Sequence, residues 1–181
     1  VGRFLGEEAL VAIANANNIL FFLLGSVFGI GMAATILVAQ AIGARDPVQA
    51  RRVIGTSATC FGALALLVAA AGLPLARTIL AWMGTPAASL PLAEAYLRVI
   101  FLAVPFLYMF AFITAVLRGA GDTRTPFVFL ALVVVIDIIV NPLLIFGLGP
   151  FPRMGIAGSA SATLVANACS LAAMLAWLRW R

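Results

Sequence analysis

The chain has 181 residues, 65% of them hydrophobic and only 9% charged. A soluble domain runs at about 45–50% apolar and about 25% charged, so this composition excludes a disordered chain, a nucleic-acid module and a cytosolic enzyme. The net charge of +5 comes from eleven arginines against six acids, with no lysine, and the arginines stand between long apolar runs, where a membrane surface accounts for them.

A transmembrane helix needs about 20 mostly apolar residues. Five stretches supply them, at about 9–42, 53–80, 95–117, 126–146 and 155–178. The first is long enough to tilt or to project from the bilayer. The separators at 43–52, 83–91, 118–125 and 147–154 each carry Gly or Pro, as helix ends do. Short separators make successive helices antiparallel neighbours. The expected fold is therefore all-α, a single polytopic bundle of five transmembrane helices over residues 1–181. The chain opens on Val1 and soon reaches Glu7 and Glu8, which is neither an initiator methionine nor a basic leader. A piece of a longer polypeptide is expected.

Alternate helix ends carry unequal charge. Arg45, Arg51, Arg52, Arg118, Arg124, Arg179 and Arg181 fall on one side, and Arg3, Arg77, Arg98 and Arg153 on the other. The positive-inside bias puts the first set in the cytoplasm, with the C-terminus, and the N-terminus outside. Trp82, Trp177 and Trp180 fall at expected membrane interfaces. Gly25 and Gly29 form a G-x-x-x-G pair, and Gly158, Ala162 and Ala166 continue a small-residue stripe, both readable as sites of close helix packing.

Residue counts remove several chemistries. Without histidine there is no imidazole base, histidine metal site or haem ligand, and no cofactor is expected. Cys60 and Cys169 lie inside apolar runs and read as buried thiols. What remains is Asp137, in V-V-V-I-D-I-I-V-N-P, about eleven residues from the expected cytoplasmic end of its helix. At 1.5 Å per residue that is roughly 17 Å deep, where a carboxylate must face the bundle interior or a wet cavity. A proton or a Na⁺ ion would satisfy it there. Asn141 is one turn on and shares its face. Pro142 follows, freeing the carbonyl of Ile138 and implying a kink, and interrupted helices at this depth point to ion or substrate sites. Thr163 and Asn167, four apart in the last helix, could face Asp137 across the bundle. Asn15, Asn17, Asn18 and Gln40 are equally readable as packing groups. The aromatic run at 101–112 reads mainly as core or lipid-facing, with a cavity for a flat cation as the other reading. G-A-G-D at 119–122 matches the G-x-G-D of intramembrane aspartyl proteases. Asp122, however, stands in a polar loop between arginines, and Asp137 follows isoleucine rather than the tyrosine such enzymes use.

Several ordered motifs resemble the multidrug and toxic compound extrusion (MATE) family of secondary transporters. They are V-G-R-F-L-G-E-E-A-L at 1–10, L-V-A-Q-A-I-G-A-R-D at 37–46 with Ala50, Arg51 and Arg52, L-R-G-A-G-D-T-R-T-P at 117–126, and N-P-L-L-I-F-G-L-G-P-F-P-R-M-G-I-A-G-S-A-S-A-T at 141–163. The resemblance implies twelve helices in two six-helix lobes, of which this chain would supply the second to sixth helices of the first. It implies export of organic cations and other amphipathic compounds, driven by inward H⁺ or Na⁺. It also implies a coupling site built from an aspartate on the first helix, an Asn and an Asp one turn apart on the fifth, and a threonine on the sixth. Asp137 and Asn141 match the fifth-helix pair with the residue types reversed, and Thr163 matches the threonine. The first-helix aspartate would precede Val1, and the second lobe is absent, so these are the partners the chain would need. The other readings are a lipid or lipid-linked oligosaccharide flippase of the same superfamily, or a structural membrane subunit.

Overall fold

The computed structural model describes residues 7–147 and 154–180. Arg3, Arg153 and Arg181, the stretches 1–6 and 148–153 of the quoted motifs, and the side chain of Asn15 lie outside the described residues. Five helices follow one another: α1 (Glu7–Gly43), α2 (Pro47–Trp82), α3 (Leu90–Gly119), α4 (Arg124–Phe146) and α5 (Ile156–Trp180). All five contain stretches long and apolar enough to cross a membrane. α1 and α2 have 37 and 36 residues. At 1.5 Å per residue each is about 55 Å long, against a hydrocarbon core of about 30 Å, so both tilt or project.

The second helix begins at Pro47, six residues before the position expected from hydropathy, because local chemistry starts it there. The Asp46 carboxylate accepts the backbone N–H groups of Val48 (3.0 Å) and Gln49 (2.9 Å), and Pro47 sits in the first turn, where a missing N–H costs nothing. Arg51 and Arg52 are therefore helical rather than loop residues. Asp122 does similar work for α4, accepting the Thr125 N–H at 3.0 Å and its hydroxyl at 2.6 Å. That local bonding is the role of the G-A-G-D aspartate. At its other end α4 stops on Gly147, whose φ of 67° is left-handed.

α3 is the central helix. Half of its apolar span is buried, more than in any other helix. It packs against α1, α2 and α5, whereas α4 leans on α5 and barely touches α3. Phe61 of α2 meets Phe112 of α3 with ring centroids 5.1 Å apart. Two hydroxyls tie α1 to α3: Tyr108 donates to the Leu23 carbonyl (3.3 Å) and Thr35 to the Ala115 carbonyl (3.1 Å). In the aromatic run, Phe101, Tyr108, Phe110 and Phe112 are buried, so core packing claims most of it.

Close helix approach is set by glycines other than the G-x-x-x-G pair. A Cβ at Gly25 or Gly29 would meet nothing within 4 Å. At Gly119 it would stand 2.7 Å from the Thr35 carbonyl oxygen and 3.1 Å from Val38 Cβ. Backbone cannot yield as a side chain can. Gly119→Ala is therefore expected to destabilise the α1–α3 contact by about 1–3 kcal/mol, read as a lower unfolding midpoint in detergent; an unchanged midpoint would show that the two helices separate without cost.

One expectation is corrected. Cys60 and Cys169 are exposed on the bundle surface rather than buried. In a membrane bundle the outer surface is itself apolar, so an apolar run does not mark an interior thiol. Trp82 and Trp180 are exposed at helix ends, and Trp177, within a turn of the end of α5, packs edge-on against Phe129 of α4 at 6.2 Å.

Candidate functional site

Asp137 lies thirteen residues after Arg124 and nine before Phe146, roughly 20 Å and 14 Å from the two ends of α4. It is partly buried and faces α5. The Thr163 hydroxyl stands 3.3 Å from Asp137 Oδ1 and also 3.3 Å from the Ser159 carbonyl, so it is shared between two acceptors. Asn167, one turn further along α5, is buried and donates its amide to the Thr163 carbonyl at 2.8 Å. The two α5 residues expected to face Asp137 thus stand in one connected set, Thr163 touching the carboxylate and Asn167 bracing the helix turn behind it.

Asn141 completes the set in an unfinished way. Its Oδ1 is buried and has no hydrogen-bond partner. Such an atom is costly to bury, all the more in an apolar helix, and it sits one turn from Asp137 on the same face. Pro142 does not interrupt α4, which is continuous to Phe146. What proline removes is the N–H that would bond the Ile138 carbonyl, leaving that acceptor free beside Asp137.

Tyr96 of α3 was not singled out by sequence reasoning. It is buried on the central helix. In the sequence it stands at the start of the apolar span 95–117, and a buried phenol seeks a polar partner. Asn17, Asn18 and Gln40 are exposed on α1 and are not gathered to the site.

A cavity of about 490 Å³ opens between α1, α3, α4 and α5. Phe28, Phe110 and Phe127 give it aromatic walls, and Arg118 and Thr123 lie at its loop end. Leu130 and Val133 of α4 line it, on the face that continues to Asp137. Asn167 lines it as well, and so connects the cavity to the carboxylate through Thr163. The cavity is mostly apolar and reaches Asn167, while Asp137, Asn141 and Thr163 stand behind that residue rather than in the cavity wall. Among the described residues no group of three or more His, Cys, Asp or Glu could hold a metal ion. Any ion at Asp137 would depend on hydroxyl, amide and carbonyl oxygens beside the one carboxylate.

Comparison with known proteins is consistent across sequence and structure. The family model MatE matches residues 1–143. The chain is 36% identical over 181 residues to the probable multidrug resistance protein YoeA of Bacillus subtilis, covering all of this chain and 39% of that protein. It is 32% identical over 160 residues to an FAD transporter of Shewanella oneidensis, covering 88% of this chain and 35% of that one. Among solved structures it resembles a MATE in complex with MaD3S, with a TM-score of 0.89, 26% identity and coverage of 97% and 39%. An outward-facing multidrug resistance MATE family transporter of the MOP superfamily gives a TM-score of 0.88 at 26% identity, covering 96% of this chain and 38% of that one. The chain spans about two fifths of the length of the curated relatives it matches.

Proposed function

Because this chain belongs to the MatE family, we propose that it forms the second to sixth helices of the first lobe of an ion-coupled antiporter that exports amphipathic and cationic compounds across the cell membrane. The observation that carries the reading is the pairing of Asp137 with Thr163 beside the unpartnered, buried Oδ1 of Asn141. An intramembrane carboxylate is expensive unless it serves an ion or proton pathway, and an orphaned amide oxygen next to it supplies the ligand that a carboxylate alone would lack.

In this reading Asp137 takes up H⁺, or holds Na⁺ together with Asn141 Oδ1 and the Thr163 hydroxyl. Uptake neutralises the carboxylate and changes what the Thr163 hydroxyl bonds, Asp137 or Ser159, both at 3.3 Å. α4 touches α3 little and is held mainly by α5, so a changed α4–α5 bond alters the helix with the fewest other restraints. The proline at 142 weakens α4 one turn from the site. Together these bias the lobe between two shapes, and alternating access follows from rocking against the second lobe. A first helix and a second lobe in the same polypeptide complete the pathway. The arginine imbalance supports a cytoplasmic position for Arg45, Arg51, Arg52, Arg118, Arg124 and Arg179.

The test is export of a fluorescent organic cation from vesicles carrying the natural protein, with a proton gradient and a sodium gradient imposed separately. Export under one gradient identifies the coupling ion. Export that ignores both gradients overturns the coupling reading, and no export of any dye under either would move the reading toward a lipid flippase.

A further inference from the structure

We propose that the turn joining α1 to α2 is a docking site for the headgroup of an anionic phospholipid. This goes beyond the coupling site, from which it is separate in the fold. The turn is built rather than loose. Ala44 N–H bonds the Gln40 carbonyl (2.9 Å), Arg45 N–H the Ile42 carbonyl (3.0 Å) and Asp46 N–H the Ala41 carbonyl (3.1 Å). Arg45 is held at a φ of 54°, the one left-handed non-glycine among the described residues. The conformation that is unfavourable for an arginine backbone fixes where its side chain starts.

Beneath it lies a groove of about 410 Å³, lined by Arg45, Arg51 and Asp46 together with Ile42, Pro47, Ala50 and Ile54. Two arginines over an apolar floor match the two halves of a lipid at the membrane boundary, phosphate above and upper acyl chain below. The charge is uncommitted. The segment 43–52 carries Arg45, Arg51 and Arg52 against Asp46 alone, three minus one, or net +2. The Asp46 carboxylate is turned to the backbone N–H groups of Val48 and Gln49. Among the described residues the ion pair is Glu94–Arg98 on α3, and none forms at Arg45, Arg51 or Arg52. The turn joins two helices that are each long and apolar enough to cross a membrane, so it lies outside the hydrocarbon layer, on the side where headgroups are met. Val48, 72% exposed on the first turn of α2, adds an apolar side chain facing outward there. Arginine forks match phosphate oxygens in pairs, and neutral headgroups gain less from unpaired guanidinium groups than anionic ones.

The natural protein, purified in detergent, is titrated with phosphatidylglycerol and with phosphatidylcholine of the same acyl chains, and bound lipid is read by native mass spectrometry. Phosphatidylglycerol is expected to bind more tightly. Each arginine near an anionic headgroup contributes roughly fivefold, so Arg45→Gln with Arg51→Gln should weaken phosphatidylglycerol binding about 25-fold and leave phosphatidylcholine unchanged. Arg77→Gln, at the opposite end of α2, should keep the preference. Equal affinity for the two lipids, or a preference that survives the double substitution, overturns the proposal. So does displacement of phosphatidylglycerol by inorganic phosphate at equal concentration, which would mark a site for free anions. If the double variant does not fold, photoreactive phosphatidylglycerol is used on the unsubstituted protein: adducts within residues 42–54 support the site, and adducts confined to other segments overturn it.

Discussion

Replacing Asp137 by asparagine is expected to abolish gradient-driven export while leaving the protein folded. The substitution keeps the shape and retains an oxygen for the Thr163 hydroxyl to reach at about its present 3.3 Å. It removes the charge and the proton-binding oxygen. A hydrogen bond or ion contact to a charged group is worth about 1.5–3 kcal/mol, so loss of the carboxylate should weaken ion binding roughly ten- to a hundredfold. Stability should hold or rise, since a buried charge costs desolvation that a neutral amide avoids. The two readouts separate the roles. Lost export with an unchanged unfolding midpoint assigns Asp137 to coupling. Normal export in the variant would mean that the carboxylate is a packing group and that the α4–α5 polar set has no part in transport.

Introducing valine at Gly158 is expected to have the largest structural effect. A Cβ there would stand 2.7 Å from the Leu144 carbonyl oxygen, 2.8 Å from its carbon and 3.0 Å from the Ile145 nitrogen. All three are backbone atoms of α4, which cannot turn aside. α5 must therefore move outward, and overpacking of this kind costs about 1–3 kcal/mol or more. The consequence reaches the site. Gly158 precedes Thr163 by five residues, and Leu144 follows Asp137 by seven, so the clash sits about one and a half to two helical turns from the Thr163–Asp137 contact. Gly158→Val should lower the unfolding midpoint and weaken export together, with Gly158→Ala intermediate. Ala162 and Ala166, fully buried on the same stripe, continue the close approach. A valine variant as stable as the native protein would show that α4 and α5 are not held at the observed distance.

Much of this protein is legible one residue at a time, because a bilayer imposes one rule on a whole span. About twenty apolar residues must stand together and satisfy their own backbone, so five helices, their order and their antiparallel sense follow from hydropathy and short separators. Asp137 stands out for the same reason: a carboxylate in V-V-V-I-D-I-I-V violates the rule and so marks a site. Asn141 and Thr163 follow by helical spacing and by the motifs they share with the MatE family. Even the Asp46 cap and the Pro47 start were written locally, although hydropathy alone placed that helix start six residues late.

What the tertiary structure decided is which apolar face looks inward. Inside a membrane the lipid is as apolar as a core, so composition cannot separate Phe61, 1% exposed, from Phe21, 80% exposed. The same blindness placed the cysteines inside and read Gly25 and Gly29 as packing glycines while passing over Gly119, although Gly158 was read correctly. Only the arrangement of α3 at the centre, with α4 leaning on α5, leaves Asn141 Oδ1 without a partner and opens the cavity that ends at Asn167. Those are relations between helices. In lipid they are set by backbone approach and a few hydrogen bonds rather than by hydrophobicity, and no single helix carries them in its own sequence.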